Sequence, residues 1–284
     1  MYFFEINSFF SYSSIDMSLS PFIFIIDLDG TIIGDCSYQV LMNNIDDLIK
    51  ENNGKIINKG LLSSYYDRKS KLIRPYFVYF INEMKKYNPK SQFYIYTASE
   101  TEWANKEISY IEKGCGIKFN RPLFTRKDCI IDSDGFYKKS VKKIFPQIQK
   151  NNKGSKISLH NILVIDNNKV FIDCLSNFIL CPSYEQIVFC DLWKKIKVEN
   201  LQKESIKQHV EELISLSRIC QYNDDTLDDI DKESQHKWFF KKYKKINKHN
   251  KKFSKDLFWK KITDSILINN IRQFDKVSVK LCYT

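Results

Sequence analysis

The chain has 284 residues, of which 43% are hydrophobic and 14% aromatic. That is enough to bury a substantial core and too apolar for a disordered polymer. A formal charge of +11 favours polyanionic partners, meaning phosphoprotein, nucleic acid or an acidic surface, and is silent about fold. No apolar run approaches the ~20 residues that span a bilayer, and residues 1–20 lack the basic and apolar regions of a signal peptide. The eight cysteines contain no Cys-x-x-Cys pair. This argues against a zinc ribbon and a disulfide scaffold and favours reduced thiols; with the lack of a spanning run and of a signal peptide, the expectation is an intracellular chain, nuclear or cytoplasmic, neither membrane-embedded nor secreted.

The first element is a buried strand over residues 22–27, an apolar run that ends abruptly at Asp27-Leu28-Asp29-Gly30-Thr31. The apolar spacing over residues 38–49 suits a helix stopped by Asn52-Asn53-Gly54. Residues 55–71 are polar and give no element. Pro75 opens the next helix, with Phe77, Phe80, Ile81 and Met84 on one face, and Asn88-Pro89 ends it. Residues 92–96 read as a second buried strand, followed by Thr97-Ala98-Ser99. A helix over residues 100–111 is expected to close at Gly114. Residues 123–125 and 129–131 read as short strands, with a hairpin turn at Asp134-Gly135. Residues 141–148 form a short helix that Pro146 is expected to interrupt. Residues 161–166 are a third buried strand ending in Asp166-Asn167-Asn168, and residues 178–180 and 187–189 are further sheet pieces. Strands and helices alternate, with polar residues at three strand ends. The fold class is therefore α/β, a doubly wound, Rossmann-like parallel sheet.

Beyond residue 190 the character changes. Residues 191–220 suit amphipathic helices, residues 224–231 are acidic, and residues 237–261 are lysine-rich with interleaved aromatics. The division read from this is an arm (1–20), a catalytic α/β domain (21–190) and a mostly helical, lysine-rich C-terminal extension (191–284). The basic stretch could contact nucleic acid or an acidic surface. Its aromatics could equally pack on the core, which is the favoured alternative.

Three strand ends aim at one crevice: Asp27 and Asp29 from the first, Thr97 and Ser99 from the second, Asp166 and Asn167 from the third. Strand alternation points Asp27 and Asp29 the same way. Two carboxylates that close need a cation or a shared proton, and one can act as nucleophile while the other is acid and base.

Six segments occur in one order: Asp27-Leu28-Asp29-Gly30-Thr31, Leu72-Ile73-Arg74-Pro75, Ile95-Tyr96-Thr97-Ala98-Ser99, Leu123-Phe124-Thr125-Arg126, Tyr137-Lys138-Lys139 and Val164-Ile165-Asp166-Asn167. In this the chain resembles the haloacid-dehalogenase-type (HAD) phosphotransferases, and within them the FCP/SCP, NLI-interacting-factor-like phosphatases that act on the RNA polymerase II C-terminal domain. The resemblance implies a HAD fold without a large cap. It also implies a Mg²⁺-dependent protein serine/threonine phosphatase working through an aspartyl-phosphate on Asp27. Asp29 would be general acid and base. Thr97 would bind a phosphoryl oxygen, Lys139 would neutralise the phosphoryl group and Asp166 would orient that lysine or a metal-bound water. Arg126 and Ser99 would contact substrate. Mg²⁺ would sit on Asp27, the Asp29 main-chain carbonyl and Asn167. Lys139 lies beside Lys138, Lys142 and Lys143, so a neighbour could be the functional lysine. The family usually carries Glu where this chain has Gly30. The implied partner is a phosphorylated protein segment, with no membrane partner. The alternatives are a HAD phosphatase for nucleic-acid or nucleotide phosphates, and a phosphopeptide-binding protein without turnover.

Overall fold

The computed structural model describes residues 20–35, 71–155, 157–187 and 248–282. The helix expected over 38–49, the polar stretch up to residue 70, and the helices and acidic patch expected between 191 and 231 lie outside the described residues.

The core is a four-stranded sheet of β1 (Ile23–Ile26), β2 (Gln92–Ile95), β5 (Ile162–Asp166) and β6 (Phe178–Leu180), in the order β2-β1-β5-β6. All three pairings are parallel. Ile25 lies between Tyr94 and Val164, and Ile26 between Ile95 and Ile165, so the central strands end level. β1 is buried at every position, as a parallel strand covered on both faces must be. A small antiparallel hairpin, β3 (Ile130–Ile131) with β4 (Tyr137–Lys138), turns at Gly135, whose φ is 81°.

Strand parity sorts the side chains into two layers. Phe22, Phe24, Ile26, Phe93, Ile95, Leu163 and Ile165 face one core, shared with α1 (Phe77–Tyr87) and α2 (Thr101–Cys115). Ile23, Ile25, Tyr94, Tyr96, Ile162 and Val164 face the other, covered by α3 (Val141–Asn151). α1 buries Phe77, Phe80, Ile81 and Met84 as its spacing requires. Two C-terminal helices, α4 (Phe258–Ile268) and α5 (Lys276–Leu281), complete the first layer. Trp259 of α4 lies 5.0 Å from the ring of Phe77 and 4.8 Å from that of Phe80. The aromatics of this part of the basic stretch therefore pack on the core.

Three local expectations change. α2 runs through Gly114 and ends after Cys115, because Gly116 (φ 64°) supplies the left-handed cap. α3 continues past Pro146 to Asn151. The proline sits on the exposed face, while Val141, Ile144 and Ile148 hold the helix to the sheet on either side of it. Residues 123–125 form no strand; Phe124 makes a single parallel bridge to Tyr96.

Candidate active site

The carboxylates and the lysine meet because of strand parity and one helix start. Asp27 continues the Ile23, Ile25 side of β1, and Asp166 the Ile162, Val164 side of β5, so both face the α3 layer. The Asp27 amide bonds the Ile165 carbonyl at 3.0 Å, which keeps the two strand ends together. Lys139 stands directly before α3. Its position is set by Ser140, whose hydroxyl caps the helix, and by Asp173, which accepts from Ser140 Oγ at 2.6 Å and the Val141 amide at 2.7 Å.

Lys139 Nζ donates to Asp27 Oδ1 at 2.6 Å and to Asp166 Oδ2 at 2.7 Å. It lies 5.7 Å from the ring centroids of both Tyr96 and Phe171, close enough for a cation–π contribution. Asp27, Lys139 and Asp166 are all buried. Burial alone would push the Lys139 ammonium towards neutrality, but Asp27 and Asp166 reverse this and hold it above the ordinary lysine range. The neighbouring lysines are placed elsewhere: Lys138 pairs with Asp132 and Lys143 bonds the Cys129 carbonyl. Burial and then Asp27 push Asp166 upward, with Lys139 pulling the other way.

Asp29 has a different environment. Ser99 Oγ donates to its Oδ2 at 2.7 Å and Thr97 Oγ1 at 3.4 Å, and the Ser99 amide bonds Thr97 Oγ1 at 3.1 Å. Loss of water, followed by repulsion from Asp27, raises its pKa to about 6. The two aspartates of the motif thus have different surroundings: Asp27 pairs with an ammonium, whereas Asp29 accepts from two hydroxyls and is shifted towards its protonated form.

On the opposite side Thr31 Oγ1 lies 3.2 Å from both Asp27 Oδ2 and Asn167 Oδ1 and accepts from the Asn167 amide at 3.1 Å. Asn167 Nδ2 donates to Ser183 Oγ at 3.3 Å. That contact sets the amide so that its oxygen meets the Thr31 hydroxyl, which also meets Asp27, and accepts from Asn168 Nδ2 at 3.1 Å. A carboxylate oxygen and an amide oxygen that share the Thr31 hydroxyl are hard donors of the kind that suits Mg²⁺ with retained waters. Among the described residues no group of three His, Cys, Asp or Glu is placed to hold a metal, and this donor set does not require one. Gly30 has a φ of 76°, and a Cβ there would come within 2.5 Å of Asn167 Nδ2. Glycine at this position therefore belongs to the site's geometry.

Arg126 does not point into this cluster. Its Nε donates to the Ala98 carbonyl at 2.8 Å, its Nη1 pairs with Glu100, and its guanidinium lies over Tyr137. Sequence reasoning assigned no role to Thr31, Tyr96, Phe171, Asp173 or Ser183. Thr31 and Tyr96 lie inside the recognised motifs, whereas the others reach the site from distant positions without a local pattern.

Comparison with known proteins gives the family. The model of the family described as "NLI interacting factor-like phosphatase" matches residues 22–195, more than half of the chain. The chain belongs to the NLI interacting factor-like phosphatase family. As a member of the HAD superfamily it is a phosphatase-type protein, and its open parallel sheet with C-terminal helices is the corresponding fold. It is 29% identical over 151 residues to "Nuclear envelope morphology protein 1" of Saccharomyces cerevisiae (strain ATCC 204508 / S288c), covering 51% of this chain and 30% of that protein. The chain thus matches less than a third of this relative's length. Two solved structures are also similar. One is of Fcp1, an essential RNA polymerase II CTD phosphatase (16% identity, TM-score 0.38, 92% of this chain and 69% of that one). The other is of a single-substitution variant of the fission yeast RNA polymerase II CTD phosphatase Fcp1 bound to beryllium fluoride (15%, 0.39, 92% and 70%). Among the described residues no helix is long and apolar enough to cross a membrane.

Proposed function

We propose that this family member is a Mg²⁺-dependent phosphatase of phosphoserine and phosphothreonine in proteins, acting on segments like the phosphorylated RNA polymerase II C-terminal domain. The observation that carries the reading is the division of labour in one motif: Asp27 sits on the Lys139 ammonium, while Asp29, two residues on, is raised to about 6 between Thr97 and Ser99.

The Asp27 carboxylate attacks phosphorus in line with the departing serine or threonine oxygen and becomes an acyl phosphate. Asp29 gives its proton to that oxygen. Asp29, now ionised, takes a proton from water as the water oxygen attacks the same phosphorus. The P–O bond to Asp27 breaks, phosphate leaves, and both aspartates are restored. Lys139, oriented by Asp166, faces the phosphoryl oxygens next to Asp27 and lowers the repulsion between carboxylate and phosphate. The Thr97 hydroxyl donates to a phosphoryl oxygen. Asp27, the Asp29 carbonyl and Asn167 would hold Mg²⁺, which supplies neutralisation of the phosphoryl charge when bound. Ser99 holds Asp29. Arg126, engaged with Ala98 and Glu100, shapes the rim with Tyr137.

A macromolecular substrate is supported by what stands between β2 and Lys139: only α2, a short 3-10 turn and the β3–β4 hairpin. None of these is large enough to enclose a small metabolite. The test is phosphate release from doubly phosphorylated heptad-repeat peptides, a phosphorylated oligonucleotide and an aryl phosphate, with chelator and Asp27→Asn as controls. Peptide-selective release is expected, falling at least about 10³-fold in Asp27→Asn and ceasing with chelator. Release from the oligonucleotide alone transfers the assignment to nucleic-acid phosphates. Silence on every substrate from folded, Mg²⁺-loaded protein removes turnover from this reading.

A further inference from the structure

Arg74 is a guanidinium with no exposed side-chain surface. Its Nε lies 3.2 Å from both carboxylate oxygens of Asp256, and its Nη2 donates to Asp256 Oδ2 at 2.9 Å. Its plane is flanked by Phe258 at 4.5 Å and Tyr184 at 5.5 Å. Its remaining arm, Nη1, donates to the Pro182 carbonyl at 2.9 Å. A guanidinium can be kept this dry only with a paired carboxylate. That carboxylate comes from the C-terminal segment, 182 residues away along the chain.

Pro182 belongs to a loop that touches the ends of β1 and β5 at several points and reaches one candidate metal ligand, Asn167. The Cys181 amide bonds the Asp166 carbonyl at 2.9 Å, and the Tyr184 amide bonds the Gly30 carbonyl at 2.8 Å. Cys181 Sγ lies 3.6 Å from Thr31 Oγ1, and Ser183 Oγ receives Asn167 Nδ2. Polar contacts therefore run from Asp256 to Arg74 and from Arg74 to Pro182, and the next residue along the chain, Ser183, contacts Asn167.

We propose that Asp256 is a positioning residue of the phosphatase site, holding the 181–184 loop through Arg74 so that Asn167 presents its oxygen beside Asp27. The proposal rests on the metal-dependent reading above. It makes the C-terminal segment a working part of the site in addition to a cover for the sheet. Outer-shell partners of metal ligands act in this way, fixing which atom of a ligand faces the ion. When the Asp256 charge is removed, Arg74 is left buried without its counterion. It turns towards water and releases the Pro182 carbonyl, and the Ser183 contact that sets the Asn167 amide is lost.

The experiment measures Mn²⁺ affinity of the full chain by electron paramagnetic resonance of the free ion, alongside thermal unfolding. Asp256→Asn, which keeps volume and removes charge, and Asp256→Ala should each weaken Mn²⁺ binding about tenfold. Ile262→Val, which loosens α4 away from the clasp, should lower the unfolding midpoint and leave Mn²⁺ affinity unchanged. Wild-type affinity in folded Asp256→Asn overturns the proposal, as does an equal loss in Ile262→Val, which would reduce the effect to general loosening. Should Asp256→Ala fail to fold, Asp256→Asn alone decides. A wild-type chain that binds Mn²⁺ but releases no phosphate from any peptide sinks the substrate reading and leaves the clasp to be judged by the affinities. A wild-type chain that binds no Mn²⁺ overturns both.

Discussion

Lys139 illustrates how much one buried charge organises. It sits between two buried carboxylates and two aromatic rings, so replacing it leaves Asp27 and Asp166 facing each other without a cation. Lys139→Met should cost about 3–5 kcal/mol of stability, the usual penalty for breaking a buried pair from one side. It should also abolish phosphate release; urea unfolding and the peptide assay check the two effects separately. Glu112 is a second case, away from the site. Burial pushes its pKa up, but the Phe119 amide, at 2.9 Å, and the Arg121 and Lys118 side chains outweigh this and hold it low. A carboxyl with a depressed folded pKa stabilises fully above its unfolded pKa of about 4.3, and the stabilisation fades as pH falls through the folded value. Glu112→Gln should therefore cost about 1 kcal/mol at pH 7, most of it from the lost charge on the oxygen that accepts the Phe119 amide, because the cations are solvent-screened. The gap from wild type should close on acidification; urea midpoints that stay equally far apart at acid pH would contradict this.

At the scale of elements, the informative contact is α4 on α1. Trp259, Ile262, Thr263 and Ile266 are buried, and Trp259 packs on Phe77 and Phe80. Trp259 Nε1 is buried without a hydrogen-bond partner among the described residues, so the ring contributes apolar area while its N–H costs free energy. Ile262→Ala should destabilise by about 2–5 kcal/mol. Trp259→Phe should cost less, because the orphan donor leaves with the indole. Denaturant unfolding ranks the two, and the reverse order would refute the account of Trp259. The hairpin teaches a complementary point: its turn was legible in Asp134-Gly135, but its two-residue strands are too short to show a period.

For the whole molecule, the +11 charge and the packing of the C-terminal segment must be treated together. Deleting residues 248–282 would strip Trp259 from the core, so loss of nucleic-acid binding in such a truncation would report unfolding. Lys251, Lys252 and Lys255 are exposed and can be changed without touching that core. If the segment contacts polyanions, changing all three to Gln should lower the salt needed for elution from heparin. Unchanged elution would remove that role from these lysines.

The sequence alone determined the three buried strands β1, β2 and β5 and the acidic residues at the ends of β1 and β5. A buried parallel strand is a local apolar run, and an aspartate at its end is visible without any partner. That Asp27 and Asp166 share the face covered by α3 follows from strand parity only once α3 is in place. Three matters were decided only by tertiary structure. The placement of Lys139, and not Lys138 or Lys143, between Asp27 and Asp166 depends on where β4 ends and on Asp173 capping α3. The withdrawal of Arg126 from the crevice depends on Glu100 and the Ala98 carbonyl. The clasp of Arg74 and Asp256 joins residues 182 positions apart. Each is a contact between segments whose separation carries no periodic signal, and its energy comes from burial that exists only once the layers have closed.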